Sequence, residues 1–196
     1  MRIGLYGGTF DPIHLGHLIL AEQCREQHEL DEVWFIPAGD PPHKSGRDIT
    51  DSLHRVMMVE LATASNEHFR VDRRELTRTG RSYSVDTLQQ IADEHPSDKL
   101  FFLVGSDSLR DFPTWHRPER IAQLATIVAV NRGEDTIGNV DAIVGTTIAE
   151  SVQLTQIPGI EISSSGIRER VKTGRAIRYF VPTDVEDYIE SHRLYH

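Results

Sequence analysis

The chain has 196 residues, 38% hydrophobic and 26% charged, which is the composition of a globular protein rather than a disordered one. A formal net charge of −9 argues against sequence-independent binding to DNA or RNA, and no apolar run reaches the roughly 18 residues of a membrane span. The single cysteine, Cys24, excludes an internal disulfide and any multi-cysteine metal site. The N-terminus runs straight into "IGLYGG" without a signal-peptide layout, so a cytoplasmic location is expected.

Strand-like and helical segments alternate. "RIGLYG" (2–7) reads as a buried strand closed by glycine, and Leu15, Leu18, Ile19 and Ala21 then recur at helical spacing. "EVWFIPAG" (32–39) is a second strand, with Trp34 a core residue. The loop 38–51 is long, rich in Pro, Gly and charge, and of a length that is more often functional than not. "SLHRVMMVELATAS" (52–65) is helical with Asp51 or Ser52 as N-cap, and "HFRVDR" (68–73) is a third strand. "SVDTLQQIADEH" (84–95) is a helix capped by Ser84. "KLFFLVG" (99–105) is the clearest buried strand, followed by a helix at 118–125 and a strand at 126–132. The segment 152–162 holds a short strand or two. Helices at 163–174 and 183–192 complete the chain, with no repeat and no low-complexity tract.

This order predicts an α/β fold: a Rossmann-like parallel sheet with helices on both faces, as one domain over 1–196 with a C-terminal helical part at about 163–196 packed on it. Ligands of such sheets bind at the carboxyl ends of the strands, near a switch in strand order. Oligomeric state is left open between monomer and homo-oligomer.

The stretch "GGTFDPIHLGH" (7–17) lies between the first strand and the first helix. Gly7 and Gly8 allow close backbone approach, and a helix start at Leu15 to His17 offers N–H groups to an anion. The Walker and dinucleotide glycine motifs are both missing. Two other readings compete: a histidine pair for a metal, whose only adjacent carboxylate is Asp11, and two unrelated surface histidines.

The stretch resembles the H-x-G-H signature of the nucleotidylyltransferase superfamily, and "ISSSGIRERV" (162–171) resembles that superfamily's I-S-[ST]-[ST]-x-[IL]-R motif. Between them, "PPHK" (41–44), "SYSVDTL" (82–88), "VGSDSLRDFPTWHRPERI" (104–121) and "VNRG" (130–133) look like bacterial nicotinate mononucleotide adenylyltransferase. "VNRGED" departs slightly, with Glu134 where the family often has Arg-Pro-Gly. The resemblance runs from Met1 to about Tyr195.

It implies adenylyl transfer from ATP to nicotinate mononucleotide, giving the dinucleotide and pyrophosphate in NAD biosynthesis. His14 and His17 would donate to α- and β-phosphate oxygens. Arg168, Ile162, Ser163 and Ser164 would hold the β- and γ-phosphates, with Arg132 nearby. Gly7, Gly8, Thr9 and Phe10 would line the adenosine side, and Gly105 and Asp107 would meet its ribose. Lys44, Ser84, Thr87, Trp115 and His116 would hold the mononucleotide, Trp115 against the pyridine ring. Simpler roles compete at several of these: an N-cap at Ser163 and Asp107, a surface lysine at Lys44, a core tryptophan at Trp115. Mg²⁺ would come bound to ATP, with no protein metal site. ATP and the mononucleotide are the expected partners; nucleic acid and membrane are not.

Overall fold

The computed structural model describes residues 1–39, 49–78, 80, 82–133 and 137–196, with the side chain of Arg132 outside the description. Six strands form one parallel sheet: β1 (Arg2–Gly8), β2 (Glu32–Pro37), β3 (Phe69–Val71), β4 (Lys99–Gly105), β5 (Thr126–Arg132) and β6 (Val152–Ile157), in the order β3-β2-β1-β4-β5-β6. The order reverses between β1 and β4, which is where a ligand crevice opens in sheets of this kind.

The sheet is covered on both faces, so its strands alternate between two apolar cores rather than between core and water. Tyr6, Val33, Phe35, Phe101, Leu103, Val128 and Val130 face one core. There they meet α1 (Leu15–Gln27) and α2 (Ser52–Thr63). The C-terminal helices α8 (Ser164–Lys172) and α9 (Thr183–Ser191) join this core through Ile167, Val185 and Ile189. Leu5, Trp34, Ile36, Leu100, Phe102, Val104, Ile127 and Ala129 face the other core. It is closed by α3 (Ser84–Glu94), α4 (Ser106–Asp111), α5 (Pro118–Leu124), α6 (Val140–Val144) and α7 (Thr146–Ala149). Trp34 is a core residue, as its strand context requires, and its indole N–H donates to Glu32 Oε2 at 2.8 Å.

The predicted elements are present; the structure decides between two pairs of alternatives and corrects one cap. Asp51, not Ser52, caps α2, its carboxylate accepting from the Leu53 N–H at 2.8 Å. Tyr83, not Ser84, is the N-cap of α3; Ser84 is already helical, and no side chain caps the turn. The segment after Ile157 leaves the sheet at Pro158, so 152–162 contains one strand. The helices α4, α6 and α7, and a 3₁₀ turn at Phe112–Thr114, are absent from the sequence reading because each is too short to show a period. Among the described residues, no helix is long and apolar enough to cross a membrane.

Candidate active site

A cavity of about 1170 Å³ opens at the carboxyl ends of β1 and β4, at the reversal of strand order. Its lining includes Gly7, Gly8, Thr9, Phe10 and His17 from the first motif, and Ile162 and Ser163 from the second. Gly105 at the end of β4 and Asp107 beyond it, with Ser84, Trp115 and His116, complete the predicted set that reaches it.

The first motif is held from several sides. The backbone N–H of His14 donates to Nδ1 of His17 at 3.2 Å, a capping arrangement in which histidine stands where glutamate commonly does. The two imidazoles stack with centroids 3.6 Å apart, and the edge of Phe10 meets His17 at 5.2 Å. Gly16 lies close under this stack: a Cβ there would sit 3.1 Å from Nδ1 of His14, so the ring would have to give by a few tenths of an ångström. His14 is buried under His17 and does not line the cavity, so the motif presents one imidazole to a ligand rather than two.

The start of α1 offers fewer donors than its sequence implies. The Leu15 N–H donates to the Phe180 carbonyl at 2.9 Å and the His17 N–H to the His14 carbonyl at 2.9 Å. The C-terminal part of the chain therefore takes a donor that the sequence reading assigns to an anion.

The second motif grips the first. Ser164 Oγ donates to the Pro12 carbonyl at 2.9 Å, and Arg168 Nη1 donates to the Asp11 carbonyl at 2.6 Å. Neither side chain lines the cavity; both hold the Asp11–Pro12 segment, whose peptide bond is cis. Ser163 caps α8, accepting from the Gly166 N–H at 3.1 Å, and also lines the cavity.

Arg55, buried to 1% exposure, was not foreseen from the sequence. Its guanidinium donates to the carbonyls of Thr9 (2.7 Å), Ala38 (2.8 Å), Gly39 (3.3 Å) and Thr50 (3.0 Å). It ties the first motif to both ends of the 38–51 loop. Burial lowers its pKa, while Asp11, Tyr195 and Asp51 act to raise it. Asp11, also buried, accepts from the Tyr195 hydroxyl at 2.7 Å and the Thr50 N–H at 3.3 Å.

On the far wall, Trp115 packs against Phe102 and Phe112 (centroids 6.0 and 5.3 Å) and also lines the cavity. Tyr83 and His116 meet ring to ring at 4.6 Å. Thr87 is not brought to the cavity: its buried hydroxyl donates to Glu75 Oε1 at 2.7 Å and accepts from Arg78 at 2.9 Å. Glu75, another residue not foreseen, does line the cavity, and burial raises its pKa. Asp107 is not the cap of α4, which is Gly105; it lies in the first turn, exposed, and accepts from Arg110 at 2.8 Å. Lys44 and the side chain of Arg132 lie outside the described residues. Among the described residues, no three His, Cys, Asp or Glu side chains converge on a common metal position.

Residues 5–170 match the cytidylyltransferase-like family model. A protein of Thermomicrobium roseum named "Probable nicotinate-nucleotide adenylyltransferase" is 48% identical over 196 residues, covering 99% of this chain and 91% of its own length. A protein of the same name from Bacillus pumilus is 43% identical over 194 residues, covering 99% of this chain and 98% of its own. In three dimensions, the Plasmodium falciparum nicotinic acid mononucleotide adenylyltransferase, solved with NaAD, superposes with a TM-score of 0.81 at 22% identity, over 99% of this chain and 97% of that one. The full-length likeness to relatives of this identity, on a six-stranded parallel sheet whose crevice carries both motifs, shows that the chain belongs to the nicotinate-nucleotide adenylyltransferase family.

Proposed function

We propose that the chain transfers the adenylyl group of ATP to the phosphate of nicotinate mononucleotide, forming nicotinate adenine dinucleotide and releasing pyrophosphate. The observation that carries this reading is the single cavity wall in which His17, the glycine edge of β1 and the start of α8 face Trp115, Tyr83 and Ser84. One side suits a triphosphate and the other an aromatic ring.

The nucleophile is a phosphate monoester with a second pKa of about 6, so it is mostly dianionic at neutral pH. No general base and no protein nucleophile are needed. One oxygen of that phosphate attacks the α-phosphorus of ATP, and the bond from the α-phosphorus to the bridging oxygen breaks. The barrier is repulsion between anions and charge gathering on the leaving pyrophosphate, so positioned donors supply the catalysis. His17 donates to the α-phosphate, and His14 acts through it as a positioning residue. Ser163, Ile162 and the start of α8 face the outer phosphates. Ser164 and Arg168 hold the Asp11–Pro12 segment against which the phosphates lie, and Arg168, half exposed, adds positive charge there. Asp107 accepts from ribose hydroxyls, as does the edge at Gly105. Trp115 stacks on the pyridine ring beside His116, and Lys44 reaches the mononucleotide from the 38–51 loop. Mg²⁺ enters with ATP as part of the substrate and keeps several of its waters.

The reading is tested by pyrophosphate release from MgATP with a panel of phosphate-bearing acceptors. Turnover with nicotinate mononucleotide, and not with phosphopantetheine, supports it. ATP binding without pyrophosphate release from any acceptor makes the chain a nucleotide-binding sensor instead.

A further inference from the structure

The end of α9 turns the chain back into the molecule. Arg193 takes a left-handed backbone (φ 51°), the Leu194 N–H donates to the Ile189 carbonyl at 3.0 Å, and the Arg193 N–H donates to the Glu190 carbonyl at 3.1 Å. Leu194 and Tyr195 then pack against the core that α1, α2, α8 and α9 share. Tyr195 is left-handed as well (φ 69°), a conformation that a bulky residue keeps only where its surroundings hold it. Its hydroxyl donates to Asp11 Oδ1 at 2.7 Å, across 184 residues of sequence. Burial and the Asp11 carboxylate both raise the Tyr195 pKa, so the hydroxyl keeps the proton it donates.

Asp11 is 4% exposed, and a buried carboxylate is costly unless donors satisfy it. Oδ2 accepts from the Thr50 N–H at 3.3 Å, and Oδ1 accepts from Tyr195. Arg168 competes for the same group. Its Nη1 donates to the Asp11 carbonyl at 2.6 Å and stands 4.0 Å from Oδ2, beyond hydrogen-bond distance. With Oδ1 satisfied by Tyr195, the carboxylate does not draw the guanidinium off the backbone. Without that hydroxyl, the half-exposed Arg168 side chain can swing onto the carboxylate and release the Asp11–Pro12 segment.

Resting on the function proposed above, we propose that Tyr195 is a positioning residue for adenylyl transfer: by satisfying the Asp11 carboxylate, it keeps Arg168 on the Asp11 carbonyl and fixes the first motif against the triphosphate. Tyr195 touches no substrate; it acts through Asp11.

The test is Tyr195→Phe, which keeps the packed ring and removes only the hydroxyl, assayed by pyrophosphate release from MgATP and nicotinate mononucleotide well below the melting transition. The kcat/KM for ATP should fall about ten- to a hundred-fold, the scale on which a displaced phosphate-holding segment costs turnover. The KM for the mononucleotide, bound on the far wall, should stay within about two-fold. Tyr188→Phe is the control: it removes another hydroxyl of α9, bonded to His54 Nδ1 at 2.9 Å, and should leave both constants within about two-fold of wild type. In an Asp11→Asn background the same Tyr195→Phe step should cost no more than about three-fold, because the charge it manages is gone. A kcat/KM for ATP within two-fold of wild type overturns the assignment. So does an equal loss in Tyr188→Phe, an equal rise in the KM for the mononucleotide, or the full loss persisting in the Asp11→Asn background. Tyr195→Phe and Tyr188→Phe decide the matter even where Asp11→Asn does not fold. Wild-type protein that releases no pyrophosphate with nicotinate mononucleotide overturns the functional reading, and this inference with it; normal wild-type turnover with an unchanged Tyr195→Phe variant overturns the inference alone.

Discussion

The backbone N–H of His14 donates to Nδ1 of His17, and the two rings stack with centroids 3.6 Å apart. A backbone N–H can only donate, so Nδ1 of His17 carries no proton and the neutral ring keeps its hydrogen on Nε2. The local turn thus sets the tautomer that a phosphate donor needs. His17→Ala should lower kcat by roughly 10²–10³, the usual loss for one transition-state donor. It also removes a cap-like bond of about 1 kcal/mol, which in a chain of this size is about 2–4 °C in Tm. Activity within a few-fold of wild type would remove His17 from the chemistry.

Arg55 offers a sharper structural test. One planar guanidinium reaches the carbonyls of Thr9, Ala38 and Thr50, on three separate segments. An ammonium is a point donor and cannot span them. Arg55→Lys should leave at least one or two buried carbonyls unpaired at about 1–3 kcal/mol each, lowering Tm by about 4 °C or more. Because Thr9 and Ala38 line the cavity, the KM for ATP should rise as well. A thermal unfolding curve that matches wild type would contradict the bracing role.

These two residues show what the sequence could and could not reveal. The sheet was legible because strands such as 99–105 are buried on both faces and read as unbroken apolar runs. The H-x-G-H stretch and Ser163 were legible because their chemistry is local: the bonds run over three residues or fewer. Arg55 was not, because its carbonyl partners at Thr9 and Ala38 lie 46 and 17 residues away and have no side-chain signature. Thr87 failed for the complementary reason. A hydroxyl near a motif looks available until the fold brings Glu75 and Arg78 to it. Arg168 was read as a phosphate ligand, and in the structure it donates to the Asp11 carbonyl of the first motif, a partner that no spacing rule exposes.

Glu75 makes stability depend on pH with a definite sign. Burial raises its pKa above the ordinary value of 4.5, so between 4.5 and the raised value the folded chain holds more protons than the unfolded one. Its contribution to stability is therefore greatest below 4.5 and is lost as pH rises through the folded-state value. Glu75→Gln keeps an acceptor oxygen for Thr87 and removes the titration. The Tm of the variant minus that of wild type should increase as pH is raised from about 4 toward neutrality, then level off. A difference independent of pH would show that Glu75 titrates normally.

Cys24 is wholly buried in the first core, and burial pushes its thiol up to about 12. Almost no thiolate forms at about pH 8, so the native chain should resist a disulfide reagent under conditions in which the denatured chain reacts fully. Rapid labelling of folded protein would mean that α1 opens easily from the sheet.

The central claim is adenylyl transfer to an acidic pyridine mononucleotide. The most direct measurement is kcat/KM for nicotinate and nicotinamide mononucleotides, each with saturating MgATP, followed by pyrophosphate release. On the proposed function, the start of α3, whose first turn no side chain caps, would offer donors to a carboxylate and leave an amide with unpaired groups, at about 1–3 kcal/mol each. The expected result is a preference for the acid of roughly ten-fold to a few thousand-fold. Equal efficiencies, or a preference for the amide, would contradict it.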